Sequence, residues 1–293
     1  MLIKRILIFF TFYLFIISIL TNSQICNFAS AEILYVGGSG EGNYSFIQDA
    51  INISSNGDTI FVYEGVYYEN IKANKSISLI GENKDTTIIT GNDSFNVITI
   101  DASFLNLTGF TIQKAPVSGI WIESPGNCNI YQNNINYNGI GIYIISSSNT
   151  KIYNNTISNN SVIGINITST QIPLNIPRNN IIFHNNLIDN KQNVYDEGIS
   201  NNWSYQKEGN YYDDYFGLDK NNDGIGDTPY DIAGGENKDY FPLMMPYDGT
   251  IRLKEFFVDY ESLYTMLVIG IIVAILFLLP IAYVWYRKTR HLR

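Results

Sequence analysis

Cysteine and histidine are scarce in this 293-residue chain, at two each, and methionine occurs four times. So few cysteines exclude a disulfide-stapled scaffold, and a site of thiolate, thioether or imidazole donors has almost nothing to draw on. Positive charge is also in short supply: 18 Lys and Arg stand against 27 Asp and Glu, for a formal charge of −9 and an isoelectric point near 4.7. A nucleic-acid binder needs the opposite balance. Arg178 is the only arginine between Ala31 and Arg252. The central part of the chain also lacks apolar residues at helical spacing, which sets helical solenoids aside.

The same central part contains a repeat. Val97-Ile98-Thr99-Ile100, Gly119-Ile120-Trp121-Ile122, Gly141-Ile142-Tyr143-Ile144 and Gly164-Ile165-Asn166-Ile167 place their first isoleucines 22, 22 and 23 residues apart, the period of one solenoid coil. Side chains alternate across a strand, so each segment sends two isoleucines inward and Thr99, Trp121, Tyr143 or Asn166 outward. A second strand keeps the step. Ile130-Tyr131-Gln132-Asn133-Asn134-Ile135 aligns with Ile152-Tyr153-Asn154-Asn155-Thr156-Ile157, and more loosely with Ile182-Phe183-His184-Asn185-Asn186-Leu187. β-branched pairs separated by Asn and Gly predict an all-β chain, a parallel β-helix. Asn133, Asn155 and Asn185 are expected at its corners, because asparagine tolerates a left-handed backbone and amides about 4.8 Å apart form a ladder.

Two terminal segments stand apart. Lys4 and Arg5 precede an apolar run from Ile6 to Leu20 and then Ala29-Ser30-Ala31, so residues 1–31 read as a signal peptide cut after Ala31, with retention as an anchor the alternative. Cys26 leaves with it, and Cys128 is then alone. At the other end residues 263–285 are apolar and reach about 34 Å as a helix, enough to cross a bilayer, with a buried helix the alternative. Tyr264, Tyr283, Trp285 and Tyr286 sit at interfacial positions. Arg287, Lys288, Arg290 and Arg293 follow, which predicts a cytoplasmic tail at 286–293, a juxtamembrane stretch at 251–262 and an extracellular body.

Without its ends the domain keeps 12 basic and 27 acidic residues, a net of −15; such a field disfavours nucleic acid, or simply keeps an exported protein soluble. Sequons at Asn43, Asn52, Asn74, Asn92, Asn106, Asn154, Asn159, Asn166 and Asn202 make a glycosylated surface an expectation of export.

Within the β-helix region, 32–200, the stretch from Tyr44 to Ser55 carries Phe46, Ile47, Ala50 and Ile51 at helical spacing and predicts an N-terminal cap helix over the first coil. Strands are expected at 58–62, 65–70, 76–80 and 86–91. After Asn190 the repeat gives way to a Tyr-, Asp- and Gly-rich segment, 201–250, expected as an irregular C-terminal cap. Inside it Asp219, Asn221, Asp223 and Asp227 occupy loop positions 1, 3, 5 and 9, with Gly224 at 6 and the Ile225 carbonyl at 7, the opening of a calcium loop. Position 12 is Tyr230 rather than a bidentate glutamate, and an Asx-rich turn serving local amides is the alternative.

Ile47-Gln48-Asp49-Ala50-Ile51, Gly57-Asp58-Thr59-Ile60, Gly65-Val66-Tyr67-Tyr68-Glu69-Asn70 and Leu79-Ile80-Gly81-Glu82 are elements shared with pectin-modifying enzymes. The closing stretches add Gly209-Asn210-Tyr211-Tyr212-Asp213-Asp214-Tyr215, Asp223-Gly224-Ile225-Gly226-Asp227-Thr228-Pro229-Tyr230 and Asp239-Tyr240-Phe241-Pro242-Leu243. With these, residues 34 to 247 resemble the NosD-type surface proteins of archaea and bacteria. The resemblance implies a right-handed parallel β-helix of the carbohydrate-binding and sugar-hydrolase repeat class. It also implies copper, since founding members help mature a copper centre. Copper is not carried over onto this chain, where His184, Cys128 and Met244-Met245 are far apart in sequence and His184 shares the column of Gln132 and Asn154 as a ladder residue.

Enzymes of this fold supply the rival reading, a polysaccharide lyase or hydrolase. Inverting hydrolysis needs two carboxylates about 6.5–9.5 Å apart on one face, whereas Asp213 and Asp214 are sequential and, if extended, point to opposite sides. A lyase needs a base such as arginine beside calcium, and Arg178 lies in a Pro-flanked insertion far from the acidic loop. The outward columns Trp121–Tyr143 and Tyr131–Tyr153–Phe183 suit sugar faces, although such stacks also stabilise a sheet by cross-strand packing alone. The expectation is therefore a non-catalytic, glycan-binding or structural protein of the outer cell surface, held by one C-terminal helix, with a NosD-type copper accessory role as a further alternative.

Overall fold

The computed structural model describes residues 31–91, 95–123, 126–170 and 175–249. The predicted leader up to residue 30, the sequon Asn92, and the predicted juxtamembrane, spanning and tail segments lie outside them. Among the described residues no helix is long and apolar enough to cross a membrane.

The described residues form an all-β parallel solenoid of about seven turns, with short strands stacked into three parallel sheets of seven, seven and six strands. The first sheet runs through Ile33–Val36, Thr59–Val62, Ser78–Gly81, Asn106–Thr108, Asn129–Tyr131, Lys151–Tyr153 and Ile181–Phe183. The third carries the Gly-Ile-x-Ile segments, where Ile98, Ile120, Ile142 and Ile165 pair coil on coil and are fully buried. A parallel ladder keeps equivalent residues in register, so a 22-residue step places each isoleucine directly over the last and fills a continuous core. At about 25 cal/mol per Å² of apolar surface, each fully buried isoleucine contributes roughly 1.5–3 kcal/mol. Glycine is the second residue of three of these strands, where the coils approach closely: a Cβ on Gly141 would lie 2.5 Å from the carbonyl oxygen of Gly164.

The cap helix is shorter than predicted, Ile47–Ile53, because Tyr44 is drawn off to pair with the first strand, its N–H donating to the Tyr35 carbonyl at 2.8 Å. The helix start takes its cap from the solenoid. The Ile47 and Gln48 N–H groups donate to the two oxygens of Glu69 at 2.8 and 2.9 Å, satisfying orphan amides of the first turn. The predicted strand 65–70 ends at Tyr68, and the strand after it, Ile71–Ala73, belongs to a different sheet.

The corner assignment needs a correction. The left-handed residues are Gln132, Asn154 and His184, with φ of 53°, 57° and 55°, one position before the asparagines named from sequence. The reversal there turns the next carboxamide inward, so Asn133, Asn155 and Asn185 form the ladder from inside the coil. His184 is thus a corner residue rather than a ladder one. Each backbone N–H donates to the Oδ1 one coil further on: Phe110 to Asn133 at 3.1 Å, Asn133 to Asn155 at 3.0 Å, Asn155 to Asn185 at 3.1 Å and Asn185 to Asn210 at 3.1 Å. A second ladder runs Asn138–Asn160–Asn190, and a third joins Asn180 to Asn201. Coil geometry therefore continues past residue 200, through Asn201 and Asn210 to the strand Tyr211–Tyr212.

Each of these three inward ladders ends on carboxylate. Asn210 N–H donates to Asp239 at 2.8 Å, Asn201 Nδ2 to Asp196 at 2.9 Å, and Asn190 Nδ2 to Asn193, which donates to Asp213 and Asp214 at 2.9 and 2.8 Å. A row of amides that all donate in one direction leaves donors over at its end, and an acceptor-only group satisfies them. Burial pushes the Asp239 carboxyl up from 3.8 to about 6, against the pull of the Asn210 and Phe241 amides. An acid raised in this way takes up a proton in the folded chain at a pH where the unfolded chain has lost it. Its contribution therefore improves as pH falls through 6, and the gain is complete below about 4, worth about 3 kcal/mol. On going from pH 7 to 4.5 the urea midpoint of the native protein should rise relative to that of Asp239→Asn; parallel pH profiles would contradict it.

Candidate functional site

The stacking register that builds the core also builds a groove on the outside of the first sheet. One wall is the predicted aromatic column. Tyr131 and Tyr153 stack at 5.0 Å and 2°, Tyr153 and Phe183 at 5.1 Å and 6°, and Tyr205 continues the row at 5.1 Å and 38°. The other wall comes from outward positions two residues earlier on the same strands. Asn106, Asn129, Lys151 and Ile181 are in parallel register. Between the walls lies a space of about 310 Å³, at the small end of ligand pockets.

Its chemistry differs from a flat sugar platform. The rings cover one another's faces, so the groove meets their edges, the positive rim of the aromatic quadrupole. Asn129 Nδ2 donates to Asn106 Oδ1 at 2.8 Å and Asn106 Nδ2 to Ser78 Oγ at 3.0 Å, which aligns the amides along the wall. Lys151 is exposed and forms no ion pair among the described residues. Burial raises the Tyr153 hydroxyl above its ordinary pKa, with Tyr131 adding to the effect, so that hydroxyl stays a neutral donor. The period-2 rule that placed the aromatics outward also places Asn129 and Lys151 outward; Tyr205 joins only through the fold of the last coil.

Trp121 and Tyr143 lie on a different sheet from this groove. They meet edge to face at 4.8 Å and 76°, Trp121 Nε1 lies 3.4 Å from Glu123 and Tyr143 accepts from Thr168 at 3.3 Å. Asn166, next in that column, is 9% exposed. Of the other described sequons, Asn52, Asn74, Asn159 and Asn202 are exposed, and Asn43, Asn106 and Asn154 half-buried.

In the 219–227 loop the side-chain oxygens face backbone amides. Asp219 accepts from Asp223 and Gly224 at 3.1 and 2.8 Å, Asn221 from Asp223 at 3.2 Å, Asp223 from Ile225 at 2.9 Å and Asp227 from Lys220 at 2.9 Å. This is an Asx-turn arrangement. Nowhere among the described residues do three His, Cys, Asp or Glu side chains gather to hold a metal. Of the donors that copper would want, Cys128 is buried, its thiol raised by that burial, and His184 Nε2 lies 2.7 Å from Glu208.

The carboxylate pair also needs correcting. Asp213 and Asp214 follow the strand Tyr211–Tyr212 rather than extending it, so both reach the same Asn193 amide. Asp213 accepts from the Asp189 N–H at 2.6 Å and Asp214 from the Tyr230 hydroxyl at 3.1 Å. They line an open depression of about 630 Å³ with Tyr137, Asn159 and Lys191.

The family described as periplasmic copper-binding protein (NosD) matches residues 43–217. The probable pectinesterase/pectinesterase inhibitor 12 of Arabidopsis thaliana is 45% identical over 71 residues, 22% of this chain and 13% of that protein. The probable ABC transporter binding protein NosD of Stutzerimonas stutzeri is 38% identical over 72 residues, 24% of this chain and 15% of that protein. The matched stretch is thus a small part of either relative. Carrot pectin methylesterase superposes with a TM-score of 0.41 at 14% identity, over 61% of this chain and 70% of that one, a similarity too distant to carry function.

Proposed function

We propose, for a chain that belongs to the NosD family, that the solenoid is a non-catalytic saccharide-binding domain, displayed outside the cell and held there by the apolar segment 263–285. The observation that carries this reading is the groove between Tyr131–Tyr153–Phe183–Tyr205 and Asn106–Asn129–Lys151–Ile181. Ring edges, tyrosine hydroxyls, an amide row and an unpaired ammonium on an otherwise acidic domain all favour a ligand rich in acceptors. A saccharide bearing carboxylates meets that description, and the pectinesterase among its relatives supports the class. Calcium at the 219–227 loop belongs to the same reading; binding there would require Asp219 and Asp227 to exchange amide donors for the ion.

The test is titration of acidic and neutral oligosaccharides against the mature protein in detergent. Lys151→Gln should weaken acidic ligands about tenfold, roughly 1.4 kcal/mol, and spare neutral ones. Tyr153→Ala should weaken both. Trp121→Ala, on another sheet, should change neither. No binding of any saccharide by the unmodified protein would leave the groove without this function, and release of reducing ends or unsaturated products would replace a binding role with a catalytic one.

A further inference from the structure

We infer that Asp58 is the receptor for the chain's processed N-terminus: removal of the leader at Ala31 creates an α-ammonium group on Glu32 that the Asp58 carboxylate is already placed to hold. This rests on the leader reading above, and adds to it an acceptor inside the fold.

Glu32 N–H donates to Asp58 Oδ1 at 2.9 Å, and Ser55 N–H donates to the other oxygen at 2.7 Å. Asp58 is only 6% exposed. The donor is fixed from its other side as well, because the Glu32 carbonyl accepts from Thr59 N–H at 2.8 Å and the next residues, Ile33–Val36, pair with Thr59–Val62 in register. Glu32 nitrogen therefore sits on Asp58 as a consequence of the first sheet contact. Two amide donors already hold the Asp58 carboxyl below its ordinary range, with Lys75 adding to the effect. Lys75 itself is occupied by the carbonyls of Ile51, Asn52 and Ser54 at 2.8, 2.8 and 2.5 Å, and among the described residues Asp58 has no ion pair.

Hydrolysis supplies the missing charge. Water adds across the Ala31–Glu32 amide, its oxygen going to the Ala31 carbonyl carbon as carboxylate and its protons leaving the Glu32 nitrogen as ammonium. A neutral hydrogen bond to a largely buried carboxylate then becomes a charge-assisted one, which is shorter and stronger. Charged groups near the new ammonium include Asp58, the exposed Glu32 side chain and Lys75, which acts on Asp58. An amine whose native pKa is raised by such a partner stabilises the fold below its unfolded pKa, near 7.7–8.0, and loses that contribution as pH rises through the native value.

The experiment compares full-length mature chains in detergent that begin at Glu32 or, one residue earlier, at Ala31. Starting at Glu32 should favour folding about tenfold at pH 7, and the difference should disappear above pH 10 and in Asp58→Asn. Equal unfolding midpoints for the two starts at pH 7 would overturn the assignment, and this comparison needs no variant at Asp58. Intact mass of the exported protein separately reports the leader. A chain retaining residues 1–31 would refute its removal, while the midpoint comparison would still decide whether Asp58 receives an ammonium.

Discussion

Replacing Asn155 by leucine is expected to cost the solenoid about 3–5 kcal/mol, although the two side chains are close in size. Asn155 Oδ1 accepts from the Asn133 N–H at 3.0 Å and from Asn133 Nδ2 at 3.2 Å. Its own Nδ2 donates to the Ile130 carbonyl and to Asn185 Oδ1, both at 2.9 Å. Leucine would strand the amide of one coil, the carbonyl of the same coil and part of the acceptor capacity of the next, all out of reach of water, and each orphan costs about 1–3 kcal/mol. Against a domain stability of about 5–15 kcal/mol, that is a large fraction. Urea unfolding would measure it, with Asn134→Ala as the contrast, since Asn134 points outward to Asp85 on the exposed face and should cost under about 1 kcal/mol. If the two substitutions lowered the midpoint equally, the ladder would not hold the coils.

The second large effect is expected at the far end. Trp203 is fully buried, one of the largest such side chains among the described residues, and its Nε1–H donates to Asp196 at 2.8 Å. Asp196 is itself buried and gathers Gly198 N–H at 2.7 Å, Asn201 Nδ2 at 2.9 Å and Asn237 Nδ2 at 2.9 Å. Trp203 thus plugs the last coil and ties the cap to a ladder end. Trp203→Ala should cost about 3–5 kcal/mol from the cavity alone, with Trp203→Phe keeping most of the packing and losing the donor. Because a solenoid end exposes the core beneath it, thermal unfolding of Trp203→Ala should begin well below that of the native protein. A loss under about 1 kcal/mol would mean that the cap is not coupled to the coils.

The predicted leader and the predicted spanning segment lie outside the described residues. The isoleucine columns were legible because a strand alternates with period 2 and a coil repeats every 22 residues, both local properties of the chain. The aromatic wall of the groove was legible for the same reason, and its polar wall lay one period away on the same strands. Tyr205 and the ladder ends were not. Asp196 meets Asn237 across 41 residues, Asp239 meets Asn210 across 29, and the irregular cap has no period from which such partners follow.

The left-handed corners show where local preference misled. Asparagine is tolerant of that backbone, yet Gln132 and His184 hold it in two coils, because the inward site beside them admits only a side chain that can both donate and accept along the stack. The amino-acid order alone determined that coils form and which residues face the core, since strand pleat and repeat length leave no other way to bury so many isoleucines. Only the tertiary structure decided which carboxylates close the amide rows, which walls enclose a groove and where the nitrogen of Glu32 comes to rest, because these depend on how separate coils and the final cap are brought together.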